Sequence, residues 1–204
     1  MSKSLNSVDM DENPILQFQS WFDEVVRSEV PDSNALTLAT STPSGYPSAR
    51  VILLKGIVEE GFIFYTNYNS RKALELLENP NAAMVFFWPE LSRQVRLEGI
   101  VKKLDEQSSE QYFRSRPRGS QVSAWASPQS QVVTSRESLE QARLKTEQEF
   151  KDQPILPKPA FWGGFIFKPK RFEFWQGRLN RFHDRFRYEW DEMAQVWKID
   201  RLAP

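Results

Sequence analysis

ALTLATSTPSGYPSARVILLKGIVEEGFIFYT, residues 35–66, is the stretch that decides the fold. It holds three apolar runs, Ala35–Thr40, Arg50–Ile57 and Phe62–Thr66, separated by Pro43-Ser44-Gly45 and Glu59-Glu60-Gly61. Short runs rich in β-branched and aromatic residues, punctuated by turn chemistry, predict antiparallel strands. Downstream, Ala82–Trp88, Gln94–Lys102, Phe161–Phe167, Arg171–Trp175, Phe182–Tyr188 and Val196–Arg201 read the same way. Upstream the period changes. Asn13-Pro14 offers a cap and a first-turn proline, and Ile15, Phe18, Phe22, Val25 and Val26 follow at helical spacing to about Ser28. Further helices are predicted over Ser70–Leu77, with Ala73, Leu74, Leu76 and Leu77 as its buried side, over Asp105–Arg116, and over Ser135–Phe150 as an exposed connector. Many short strands with helices inserted among them, rather than alternating, predict an α+β antiparallel barrel or sandwich. No G-x-G-x-x-G or G-x-x-x-x-G-K-[ST] occurs, which argues against a doubly wound nucleotide fold.

Composition narrows the chemistry. The 204 residues include 15 Phe, 7 Trp and 5 Tyr, which require a core, an interface or a flat ligand to cover them. There is no cysteine, so disulfides, thiolate nucleophiles and iron–sulfur clusters are excluded and a reducing, cytoplasmic setting is suited. A single histidine, His183, cannot build a multi-histidine zinc site, and no metal is expected. Lys plus Arg and Asp plus Glu both total 27, so no net positive field advertises nucleic acid. The apolar runs are too short to span a bilayer, and no membrane partner is expected.

Charge is nonetheless concentrated locally. Between residues 168 and 187 stand seven cations and two anions. In an extended segment Arg181, His183, Arg185 and Arg187 would share one face, because side chains alternate. Such a row is either a solvated face with paired carboxylates or a site for an anionic ligand, since guanidinium matches phosphate and carboxylate oxygens with paired hydrogen bonds. Ser70-Arg71-Lys72 opens a helix, where free N–H groups favour a phosphate, although many surface helices begin this way. Arg114-Ser115-Arg116-Pro117-Arg118-Gly119-Ser120 reads equally as an anion site or an exposed helix exit.

Glu173-Phe174-Trp175-Gln176, a four-residue spacer, then Arg181-Phe182-His183-Asp184-Arg185 resembles the C-terminal signature of the pyridoxamine 5′-phosphate oxidase family. Further motifs similar to the family's follow its order: Arg50-Val51-Ile52-Leu53-Leu54-Lys55, Tyr65-Thr66, Ser70-Arg71-Lys72, Arg93-Gln94-Val95-Arg96, Tyr112-Phe113-Arg114-Ser115-Arg116-Pro117 and Ser127-Pro128-Gln129-Ser130. The similarity runs from about Pro14 to Pro204.

The resemblance implies a Greek-key split β-barrel of the FMN-binding type with peripheral helices. It implies a homodimer that holds FMN in clefts between subunits and oxidises pyridoxine or pyridoxamine 5′-phosphate to pyridoxal 5′-phosphate, with dioxygen taking the electrons. Residues 1–12 are expected to be a flexible tail and 13–204 a single domain. Carried over position by position, Arg50, Val51, Ile52, Leu53, Leu54, Lys55, Tyr65, Thr66, Arg71, Lys72, Gln94, Gln129, Ser130, Trp175 and Arg185 would surround FMN. Lys55, Tyr112, Arg116 and Ser120 would hold the substrate phosphate, and Arg181 and His183 would act at the reacting end. Arg50 and Lys55 differ by an odd number, so a regular strand would point them to opposite faces; either a bulge intervenes or the ligand wraps the strand end.

Three features depart from the family pattern. Phe182 stands where an aliphatic residue is usual and is expected to pack behind the site. Arg178 adds a cation to the spacer. An arginine and a tyrosine that often cover the substrate from the N-terminal segment are not found in residues 1–14. Two other readings remain: a related flavin enzyme with a different substrate, such as a phenazine precursor, or a non-catalytic carrier of FMN or pyridoxal phosphate.

Overall fold

The computed structural model describes residues 4–204. Helix α1, Pro14–Arg27, begins where Asn13 accepts the N–H of Ile15 and buries Ile15, Phe18, Trp21 and Val25. Strands β1 (Ala35–Ser41), β2 (Pro47–Leu53), β3 (Gly56–Val58), β4 (Gly61–Asn67), β5 (Asn81–Trp88), β6 (Arg93–Lys103), β7 (Trp162–Gln176), β8 (Asp184–Asp191) and β9 (Val196–Leu202) form one sheet. All of its pairings are antiparallel. The order is β2-β1-β5-β6-β7-β4-β3, with β8 on β7 and β9 outside it. The sheet curls around a core in which Phe18 meets Phe62 and Phe86 edge-on, each at 4.8 Å between centroids. This is the split-barrel form of the α+β class.

Strand β7 does most to shape the molecule, because it pairs with three others. Its first half lies on β4, its second on β8, and β6 runs along both. The register slips between Glu98 and Gly99, opposite Pro169, so a residue without a donor N–H sits inside a long strand where the ladder is already broken. Gly99 is required there, since a Cβ would lie 2.2 Å from the Lys168 carbonyl oxygen. The two strands expected at Phe161–Phe167 and Arg171–Trp175 are therefore one. Arg50–Ile57 is the reverse case, one expected strand that is two, broken at Leu54-Lys55.

Helix α2 (Arg71–Glu78) crosses beside β1. Helices α3 (Glu106–Ser115), α4 (Arg118–Ala126) and α5 (Arg136–Glu149) enclose a second cluster of Phe113, Val122, Phe150, Leu156 and Trp162. Leu74 and Leu77 of α2 are exposed rather than buried; Ala73, Leu76, Lys72 and Glu75 face inward. Helix α4 is an addition to the sequence reading. Its apolar spacing is faint, and Pro117 both ends α3 and opens it. Part of the stretch expected to be loose is held: Leu5 donates to Asp184, and Tyr188 donates to the Asp11 carbonyl at 2.7 Å. Residues 1–3 of that stretch lie outside the described residues.

Candidate active site

Seen along β4, Tyr65 and Thr66 face the start of β7, where Tyr65 pairs with Gly164 and Thr66 with Gly163. Gly164 lets the Tyr65 ring approach: a Cβ there would sit 2.8 Å from its Cε1. Tyr65 stacks on Tyr112 of α3, with centroids 3.8 Å apart and planes within 9°. Trp162 continues the stack at 5.5 Å from Tyr65. These rings floor a cavity of about 310 Å³ lined also by Lys55, Thr66, Arg116, Ser127 and Gln129. The strand break after Leu53 is what turns Lys55 toward it, with its N–H bonded to the Ile63 carbonyl.

Neither of the cavity's lining cations, Lys55 and Arg116, has a carboxylate partner among the described residues, nor has Lys72, which bonds the lining residue Thr66. Lys72 is 8 % exposed, and its Nζ donates only to the Thr66 hydroxyl at 3.1 Å and the Ser70 hydroxyl at 3.4 Å. Burial, and secondarily the charge of Arg50, lower its pKa. Arg116 lies over Trp162, and its Nη1 is buried with no hydrogen-bond partner. Burial lowers its pKa too, against the pull of Tyr112. A buried cation without a counter-charge is costly, so both positions suit an anionic ligand. Thr66 also donates to the Gln129 side chain at 3.1 Å, which draws Gln129 into the group. Ser130 is exposed with a positive φ of 70°. Ser120 is half-buried in the first turn of α4.

Arg71 and Arg50 share a different partner. Glu75 accepts from Arg71 at 2.8 Å and Arg50 at 3.4 Å, and from the hydroxyls of Thr40 at 2.5 Å and Ser48 at 2.6 Å. Burial alone would raise its pKa. The hydrogen bonds from Ser48, Thr40 and Arg71, with the Arg71 charge, outweigh burial and hold it at about 2. Ile52 points inward like Arg50 and Leu54 is buried, while Val51 and Leu53 are exposed on the outer face of the sheet.

That outer face carries another part of the expected set. Gln94, Trp175 and Arg185 are successive cross-strand partners on β6, β7 and β8, in one row continued by Phe87 on β5. Arg185 is held by Glu173 at 2.8 Å. Trp175 is eleven residues along β7 from Gly164, up to about 36 Å of strand. One chain therefore keeps the Tyr65–Arg116 cavity and the Trp175 row apart.

The loop between β7 and β8 corrects the expectation of one charged face. β8 begins at Asp184, so only Arg185 and Arg187 alternate on it. Arg181 lies in a tight turn with φ of 60°, after Asn180 at 56°. His183 packs against Trp175 at 4.7 Å and lines a cavity of about 780 Å³ with Ser4, Arg178 and Phe182. Phe182 is 79 % exposed at its mouth instead of packed behind it. Arg178, the additional cation, bonds Asp184 at 2.7 Å.

Trp162, Glu75 and Gln121 were not singled out in the sequence. Gln121, 2 % exposed, donates to the carbonyls of Phe113, Arg114 and Arg116, and accepts from the Leu156 N–H. It fixes the chain that carries Arg116. The aromatic pair before Gly163-Gly164 was the available signal for Trp162. Nothing in the pattern marks Glu75 or Gln121.

Residues 22–148 match the family described as pyridoxamine 5′-phosphate oxidase, and residues 162–204 match the pyridoxine 5′-phosphate oxidase C-terminal dimerisation region. A pyridoxine/pyridoxamine 5′-phosphate oxidase of Salinibacter ruber is 51 % identical over 193 residues, covering 95 % of this chain and 90 % of that protein. One from Acaryochloris marina is 51 % identical over 202 residues, covering 99 % and 91 %. The crystal structure of PhzG from Burkholderia lata, in complex with tetrahydrophenazine-1-carboxylic acid, superposes with a TM-score of 0.92 at 30 % identity over 99 % of this chain and 98 % of that one. An FMN-binding, pyridoxamine 5′-phosphate oxidase-related protein of Nostoc punctiforme shares the fold, with a TM-score of 0.71 at 18 % identity over 92 % of this chain and 95 % of that one. The chain belongs to the pyridoxamine 5′-phosphate oxidase family of oxidoreductases.

Proposed function

We propose that this chain binds FMN and oxidises pyridoxine 5′-phosphate and pyridoxamine 5′-phosphate to pyridoxal 5′-phosphate, with dioxygen as acceptor, in the cytoplasm. The carrying observation is that, among the described residues, neither buried Lys72, which bonds the cavity residue Thr66, nor Arg116, whose buried Nη1 lines the cavity unpartnered, has a carboxylate partner. FMN and substrate each bring a phosphate, and these positions suit two. Lys72 with Thr66, Arg71 and Gln129 would hold the cofactor phosphate. Arg116 with Lys55, Tyr112 and Ser120 would hold that of the substrate.

The active site is completed by a second copy of the chain. Gln94, Trp175 and Arg185 sit on the outer face, too far along β7 to serve the same ligand as Tyr65 and Thr66 of the same chain. That face also exposes Val51, Leu53 and Phe87, apolar area suited to a subunit contact. When bound, FMN supplies the acceptor for a hydride from the exocyclic carbon of the vitamer and passes the electrons to dioxygen. The protein's own part is positioning: Arg181 beside the pyridine ring and His183 near the reacting substituent.

Anaerobic mixing with pyridoxamine 5′-phosphate tests this. The flavin should bleach, and air should restore it, the overall products being pyridoxal 5′-phosphate, whose aldehyde oxygen comes from water, ammonia and hydrogen peroxide. A flavin that stays oxidised overturns the reading. The similarity to PhzG favours a second reading, oxidation of a phenazine precursor. A phosphate cradle has no use there, so bleaching by tetrahydrophenazine-1-carboxylic acid and not by the phosphorylated vitamer would select it.

A further inference from the structure

The single imidazole is held by a bond that decides where its proton is. Nδ1 of His183 accepts the backbone N–H of Arg178 at 3.1 Å. A backbone N–H can only donate, so Nδ1 must present its lone pair, and the neutral ring carries its hydrogen on Nε2. Moving the proton to Nδ1 would set two N–H groups against each other and forfeit the bond.

The surrounding loop makes that contact rigid. Arg178 is anchored through its side chain to Asp184 at 2.7 Å, one residue beyond His183. Asp184 is tied in turn to Arg201 at 2.8 Å and to the Leu5 N–H at 3.1 Å. The Phe182 N–H closes onto the Leu179 carbonyl at 3.2 Å. Asn180 and Arg181 both take left-handed conformations, costly for residues with side chains and retained where the surroundings enforce them. Trp175 blocks one face of the ring. No protein group bonds Nε2 among the described residues, and the ring lines the cavity shared with Phe182 and Leu179.

We infer that His183 is locked as the Nε2–H tautomer and serves as a fixed hydrogen-bond donor to a lone-pair oxygen of the substrate, not as the base that removes its proton. This rests on the cavity being the reacting end of the site, as proposed above. For a B6 vitamer the ionised ring hydroxyl is an acceptor of the required chemistry. The proton lost by the oxidised substituent then leaves to water, with the hydride taken by the flavin, so charge and electrons balance without a protein base.

Because the chain contains one histidine, the untagged, FMN-loaded protein labelled with ¹⁵N-histidine gives one pair of ring nitrogen signals. At alkaline pH, where an imidazole is neutral, Nε2 should appear protonated and Nδ1 unprotonated. The opposite pattern, or an average of both, overturns the inference. A second arm uses shape: a glutamine amide reaches the place of Nε2, whereas an asparagine amide reaches only that of Nδ1. At matched flavin content, His183→Gln should reduce flavin roughly tenfold faster than His183→Asn, the worth of one hydrogen bond. Equal rates, or asparagine ahead, would refute the donor role. If no phosphorylated vitamer reduces the parent's flavin, the substrate reading falls, and the tautomer spectrum still judges the lock.

Discussion

The guanidinium carbon of Arg116 lies 4.6 Å from the centroid of the Trp162 ring, with Nη1 buried and unpartnered. Trp162 orients the fork and Gln121 fixes the backbone behind it, so the donor stands ready for an anion. Arg116→Ala should raise KM for pyridoxamine 5′-phosphate by about 10- to 150-fold, the worth of a charge-assisted hydrogen bond. FMN content should stay normal, and KM for unphosphorylated pyridoxamine should barely move. Steady-state kinetics on both amines measure this; flavin loss in the variant would contradict it.

Among the described residues Lys72 bonds only hydroxyls. Lys72→Met keeps the apolar stem and removes the charge. Flavin affinity should fall at least tenfold, read by quenching of FMN fluorescence, while KM for the substrate measured at saturating FMN changes little. Retention of flavin at the parent's affinity would leave Lys72 a buried structural cation.

Glu75 predicts a pH dependence of stability. Its folded pKa of about 2 lies below the ordinary 4.5, so its contribution is complete above about pH 4.5 and is lost as pH falls toward 2. Glu75→Gln should lower the melting temperature at pH 7 by an amount reflecting a few kcal/mol. The gap between parent and variant should narrow steadily below pH 4.5. A gap independent of pH would mean that the carboxylate charge is not what stabilises this network.

Val51 is 67 % exposed and Phe87 57 % exposed on the outward face that also carries Trp175 and Arg185. Val51→Asp should leave the strand content of the chain intact by circular dichroism, because the side chain makes no part of the core. Light scattering should show the mass of a single chain, and the flavin should be lost with the dimer. A monomer that holds FMN as firmly as the parent would refute a shared site.

The legible parts of this molecule were those with a period or a signature. Phe18 and its helical neighbours announced α1, and the apolar run Ala82–Trp88 announced β5. The family motifs supplied the candidate site residues, and the odd offset of Lys55 from Arg50 fitted either a bulge or a ligand around the strand end, where the structure has a break between β2 and β3. Contacts set by tertiary approach were not legible. Glu75 reads as one more surface glutamate on a helix until β1 and β2 bring Thr40, Ser48 and Arg50 to it. The turn that lifts Arg181 and His183 off β8 was hidden too, because alternating cations suit a strand equally well, and only the left-handed pair at Asn180 and Arg181 breaks it.

The triple pairing of β7 carries a consequence for how this protein can change in length. Side chains alternate along a strand, so one residue added or lost between Phe172 and Phe174 would turn Phe174 outward and drive Trp175 into the core. β6 and β8 would meet the wrong edge at once, with no free side on which the error could be absorbed. Insertions should therefore be tolerated at the exposed 192–195 turn or beside α5, and deletions of a single residue within 163–167 or 172–176, away from the bulge, should be lethal to the fold.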